Sequence, residues 1–217
     1  LAHLDGRRET YCLRHPGFEP NERLLGWNEL IDAHVETLRG DETKPLVLMG
    51  HSAGGWVSIA IAKALEAIEP EREVRVVLLD SLPPSATIGW YEYTGFFDAM
   101  KNQMLEGRFT DIAEQSEQDA GALVLADAPH AWSAMGWYNK QGFQFLPPML
   151  DTPTLLLKAK KATPSLNVEH IPETVNVDLG WRRYLSNLTC VEVAGDHFGI
   201  VNDPNAEGLV AALEDWL

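Results

Sequence analysis

Three residue types in this chain could carry nucleophilic chemistry together: a serine framed by glycines, histidines able to take its proton, and carboxylates able to orient a histidine. The serine is Ser52, in Leu46-Val47-Leu48-Met49-Gly50-His51-Ser52-Ala53-Gly54-Gly55, an apolar run, then Gly-x-Ser-x-Gly, then a helical pattern. A strand turning sharply into a helix at such a motif strains the serine and exposes its hydroxyl above the strand ends. Small residues flank it because two backbones crowd there. The backbone N–H of Ala53, at the start of the helix, would face an oxyanion developing on a carbonyl attacked by Ser52.

A serine hydroxyl is a weak nucleophile at neutral pH and needs a base. Seven histidines compete for that role. His51 lies inside the turn and is expected to point away from the pocket, and His34 falls on an apolar helical stripe, where packing is its expected role. His3, His15, His130 and His170 follow no strand. His197, in Gly195-Asp196-His197-Phe198, follows the last apolar run, where the chain order serine, acid, histidine places the base.

Two positions compete to supply the acid. The run Thr154 to Ala159 is followed by Lys160, Lys161, Ala162 and Thr163, with no carboxylate before Glu169. The earlier run Val74 to Leu79 ends directly in Asp80, one crossover beyond Ser52, so the two strands should be neighbours. Asp80 would hold the imidazole tautomer and stabilise the imidazolium without taking the proton. Asp196 adjoins His197, but consecutive side chains seldom face each other.

These residues need a scaffold of strands and helices to meet. Leu46 to Met49, Val74 to Leu79, Thr154 to Ala159 and Thr189 to Val193 read as buried strands, with a further short one near Thr10 to Leu13. Helical spacing joins Trp27, Leu30, Ile31, His34, Val35 and Leu38, then Val57, Ile61, Ala64, Leu65 and Ile68, and finally Leu209, Val210, Leu213 and Leu217. Strands alternating with helices predict an α/β fold with a mostly parallel sheet, and residues 1–217 read as a single domain. Residues 85–150 are too long for a simple crossover. Rich in aromatics (Trp90, Tyr91, Tyr93, Phe96, Phe97, Trp132, Trp137, Tyr138, Phe143, Phe145), they are expected to form a helical lid over an apolar pocket. The chain opens on Leu1 as if partway through an element, so earlier strands are expected upstream.

Composition removes several function classes. A formal charge of -15 repels phosphate backbones and anionic headgroups, so nucleic-acid and membrane partners are not expected. No apolar run reaches the length of a membrane span, and residues 1–30 lack signal-peptide character, which predicts a cytoplasmic protein. Cys12 and Cys190 are too few for a disulfide framework and are read as buried small apolar residues.

The assembled pieces resemble the terminal thioesterase domains of modular polyketide synthases, within the α/β-hydrolase superfamily, and more loosely those of nonribosomal peptide synthetases. The resemblance is carried, colinearly, by His15-Pro16-Gly17-Phe18, Gly50-His51-Ser52-Ala53-Gly54-Gly55, Leu78-Leu79-Asp80-Ser81-Leu82-Pro83-Pro84, Pro153-Thr154-Leu155-Leu156 and Gly195-Asp196-His197-Phe198. It implies that an acyl carrier protein in the same polypeptide presents a polyketide-type chain on phosphopantetheine, and that Ser52 takes the chain with His197 as base and Asp80 behind it. Release follows by water or by ring closure. No bound cofactor or metal is implied, a homodimer is a family expectation, and the second oxyanion donor would lie upstream of Leu1. Stand-alone editing thioesterases usually carry their acid after the later strand, where this chain has lysines. A free-standing esterase or lipase, and an inactive hydrolase fold kept for binding, are the competing readings.

Overall fold

The computed structural model describes residues 8–19, 21–39, 44–84, 129–161 and 177–217. Four strands, β1 (Leu46–His51), β2 (Val74–Leu79), β3 (Thr154–Ala159) and β4 (Leu188–Val193), form one sheet in the order β1-β2-β3-β4. Every neighbouring pair is parallel, with Gly50 beside Leu78, Leu79 beside Leu157 and Ala159 beside Val193. All four strands therefore end on the same edge, and Ser52, Asp80 and the loop bearing His197 all follow that edge.

The helices are α1 (Trp27–Leu38), α2 (Gly54–Ile68), α3 (Pro129–Gly142) and α4 (Asn205–Trp216). Strand alternation divides the side chains between two cores. Leu48, Val76, Leu78 and Leu156 pack with Ile31, Val35, Trp56 and Ile59 of α1 and α2. Val77, Leu79, Leu155 and Leu157 pack with Leu209, Val210 and Leu213 of α4. The result is a helix–sheet–helix sandwich. α2 carries a buried run from Gly55 to Ala62 because it lies between the sheet and further apolar groups.

α1 starts after Gly26, whose N–H donates to Glu29 Oε2 at 2.8 Å, while the N–H of Trp27 donates to Gln141 Oε1 of α3 at 2.8 Å. Two of the orphan donors at the helix start are thereby satisfied, one of them across the fold.

Two expectations fail here. Residues 10–13 form no strand, because Tyr11 is 75% exposed and only Leu13 packs on the core, too little apolar surface to seat a strand. Cys12 is exposed and Cys190 half-buried, so neither is the fully buried residue anticipated. Burial raises the pKa of the Cys190 thiol.

Of the expected lid, residues 85–128 lie outside the described residues. The described part packs on the body: Phe143 meets Trp56 edge-on at 4.5 Å between ring centroids, Phe145 lies 5.2 Å from Trp27, and Tyr138 Oη donates to Pro16 O at 2.7 Å. Among the described residues, no helix is long and apolar enough to cross a membrane.

Candidate active site

β1 ends at His51, and Ser52 turns the chain with φ at 54°. A non-glycine residue in this left-handed region stores about 1–3 kcal/mol of strain, which the surroundings must hold. They do so through two backbone bonds: the N–H of Ser52 donates to Leu79 O at 3.1 Å, and Ser52 O accepts from Gly55 N at 3.0 Å. Ala53 follows as the N-cap of α2. The crowding expected at this turn is uneven. A Cβ on Gly50 would lie 2.2 Å from the Gly54 carbonyl, and one on Gly55 would lie 2.3 Å from Ser81 Oγ, whereas one on Gly54 would meet nothing within 4 Å.

Asp80 repeats the device on the next strand. Its φ is 44°, and its N–H donates to Leu157 O at 2.8 Å. Its carboxylate is divided between two partners. Oδ1 accepts the N–H of Ala159 at 2.8 Å, and Oδ2 lies 2.9 Å from Nδ1 of His197. Both side chains are buried, so the pair works in a medium where a hydrogen bond to a charged acceptor is strong. A carboxylate only accepts, so Nδ1 carries the proton and the Nε2 lone pair of a neutral His197 is left to act as a base.

The loop that carries His197 is tied at several points. Lys161 N donates to Gly195 O at 2.9 Å, and Gly195 takes φ of 104°. Asp196 Oδ1 accepts the N–H groups of Phe198 and Gly199, at 3.2 and 2.8 Å, and so caps the short 3-10 turn Gly199–Val201. Asp196 is thus a loop-capping residue, while Asp80 is the carboxylate in contact with the His197 ring.

His51 points towards the loop that bears His197. Its Nε2 lies 2.7 Å from the His197 carbonyl, and its ring lies 4.7 Å from the His197 ring. Strand alternation is the reason: His51 continues the face of Val47 and Met49, which packs towards α4 and the end of β4. Burial, then the neighbouring His197, lower its pKa to about 4, so it is neutral at pH 7.

Two tryptophans also belong to the site's support. Trp181 Nε1 donates to Ser81 O at 2.6 Å, and Trp56 Nε1 donates to Leu82 O at 2.5 Å, so consecutive carbonyls after Asp80 are each held by an indole. Trp56 directly follows the glycine turn, which was the available sign of its role. Trp181 sits in a stretch with no motif. Elsewhere, His34 is buried as expected but also bonds His15, Nε2 to Nδ1, at 2.9 Å. Among the described residues, no three His, Cys, Asp or Glu side chains group to hold a metal ion.

A strand-ending serine beside a buried acid–histidine pair at one edge of a parallel sheet is an arrangement shared by many hydrolases, so relatives decide the family. The thioesterase domain profile matches residues 2–217. This chain is a member of the thioesterase domain family. It is 29% identical over 218 residues to the polyketide synthase GfsE of Streptomyces halstedii, and 27% identical over 222 residues to the spectinabilin polyketide synthase protein NorC of Streptomyces orinoci. These alignments take in 99% and 98% of this chain but only 5% and 8% of the synthases, so the thioesterase chain matches a small part of much longer proteins. The thioesterase domain of NocB, solved as a covalent complex with a fluorophosphonate nocardicin G analogue, superimposes with a TM-score of 0.64 at 18% identity, covering 92% of this chain and 78% of that one. The fold is that of the α/β-hydrolases, as the resemblance implied, and its parallel sheet flanked by helices is the one expected from the order of strands and helices.

Proposed function

We propose that this thioesterase domain releases an acyl chain from an acyl carrier protein, with Ser52 as nucleophile, His197 as general base and Asp80 as the acid that orients it. The observation that carries the reading is the bond from His197 Nδ1 to an aspartate that follows β2, two strands away from the histidine loop. Membership of the thioesterase family and the polyketide synthases among its relatives support the choice of substrate.

In this mechanism Ser52 Oγ attacks the thioester carbonyl as its proton passes to Nε2 of His197, and Asp80 stabilises the resulting imidazolium. The N–H of Ala53, with a second donor from outside the described residues, receives the oxyanion. The phosphopantetheine thiol leaves with the proton from His197. Water, or a hydroxyl or amine of the chain itself, then attacks the Ser52 ester to give an acid, a lactone or a lactam. Residues 85–150 are assigned to the lid that favours one outcome over another, and the carrier is assigned to the same polypeptide.

A comparison of substrates tests the reading. Turnover of an acyl group on a phosphopantetheinylated carrier protein should exceed that of the matching simple oxygen ester in kcat/KM, and Ser52→Ala should abolish both. Equal or better use of the oxygen ester would favour a free-standing esterase.

A further inference from the structure

The residue before Ser52 touches the backbone of His197. His51 and His197 are far apart in sequence, yet the imidazole of one meets the backbone carbonyl of the other at 2.7 Å and the two rings lie 4.7 Å apart with 34° between their planes. A carbonyl can only accept, so this contact requires the proton on Nε2 of His51. The Asp80 contact holds the side-chain end of His197, and the His51 contact holds its backbone end.

We infer that His51 is a positioning residue for His197: its Nε2–H anchors the base-bearing loop to the nucleophile turn and sets the distance between Ser52 and the imidazole. The inference rests on the proposed role of His197. His51 and Ser52 are consecutive, so any movement of the turn moves nucleophile and anchor together, and the anchor carries the base with them. Among the described residues, the titratable groups facing His51 are His197 and the Asp80 carboxylate. A neutral His51 beside them donates its hydrogen bond without placing a second positive charge against the imidazolium formed on His197.

The test uses two variants and the unsubstituted domain. His51→Phe keeps a ring and loses the donor; His51→Gln keeps an N–H at comparable reach. With an acyl-N-acetylcysteamine thioester, His51→Phe should lower kcat by about 10- to 100-fold with KM within about twofold, since small misplacements of a base cost that much. His51→Gln should recover most of the loss. The inference is overturned if folded His51→Phe keeps kcat within about twofold of the unsubstituted protein, or if His51→Gln is as slow as His51→Phe. Ring-nitrogen NMR of the unsubstituted protein needs no variant: at pH 7 His51 should be neutral with its proton on Nε2, and a proton on Nδ1 alone would contradict the bond. His197→Ala separates the two layers. If that variant turns over normally, the base assignment itself fails; if it is inactive while His51→Phe is not impaired, only the positioning role fails.

Discussion

Trp181 reaches across the fold to hold Ser81, the residue after Asp80: its indole N–H donates to Ser81 O at 2.6 Å, and the ring is fully buried. With Trp56 on Leu82 O, it fixes the backbone just beyond the left-handed turn at Asp80. Trp181→Phe leaves a buried carbonyl short of its donor, which costs about 1–3 kcal/mol. Urea denaturation should read that loss. The same variant should lower kcat more than it raises KM, because the turn it releases aims the carboxylate at His197.

Asp80→Asn keeps the shape of the acid and loses its charge. The amide can present an N–H to Nδ1, which favours the histidine tautomer with its proton on Nε2, and a base of that form cannot take the serine proton. A fall in kcat of roughly 10³- to 10⁴-fold is expected by steady-state assay, with the fold retained by circular dichroism.

The glycines of the turn should respond in opposite directions. Gly54→Ala places a methyl group in open space within α2 and should be neutral or stabilising by up to about 1 kcal/mol, the helix preference of alanine over glycine. Gly55→Ala drives a Cβ against Ser81 Oγ and should cost about 1–3 kcal/mol. Thermal denaturation of the two variants side by side checks the contrast.

Stability should fall on mild acidification before the carboxylates titrate. His15 and His51 each have a pKa of about 4 in the folded chain against 6.5 ordinarily, chiefly through burial, and in each case the neighbouring histidine contributes further. The unfolded chain therefore binds more protons than the folded one between those values, so the contribution is fully present above pH 6.5 and is lost as pH falls towards 4. The expected loss by pH 5 is about 1–2 kcal/mol for each ring. Denaturation midpoints at pH 7, 6 and 5 measure it, and His15→Phe should flatten the slope.

Local pattern was enough for the scaffold. β2 and β3 were readable to the residue because charge or proline bounds each apolar run, and β1 and β4 were foreshortened only where Gly50, His51 and Leu188 extend them. Asp80 and His197 were legible for the same reason, as the residue ending one strand and the histidine in the loop after another. Contacts between distant segments were not. Nothing near Trp181 in sequence indicates that its indole would bond Ser81, and the orientation of His51 follows from which face of β1 meets the His197 loop. Tyr11 shows the converse error: a stretch with strand-like residues stays irregular when no core receives it.

Acylation of Ser52 is the step on which the proposed release depends. Intact and peptide mass spectrometry of the domain, quenched soon after mixing with an acyl-loaded carrier protein, tests it most directly. One added acyl mass is expected on the peptide containing Ser52, absent in Ser52→Ala and strongly reduced in His197→Ala. An acyl group on any other residue, or carrier unloading that persists in Ser52→Ala, would contradict it.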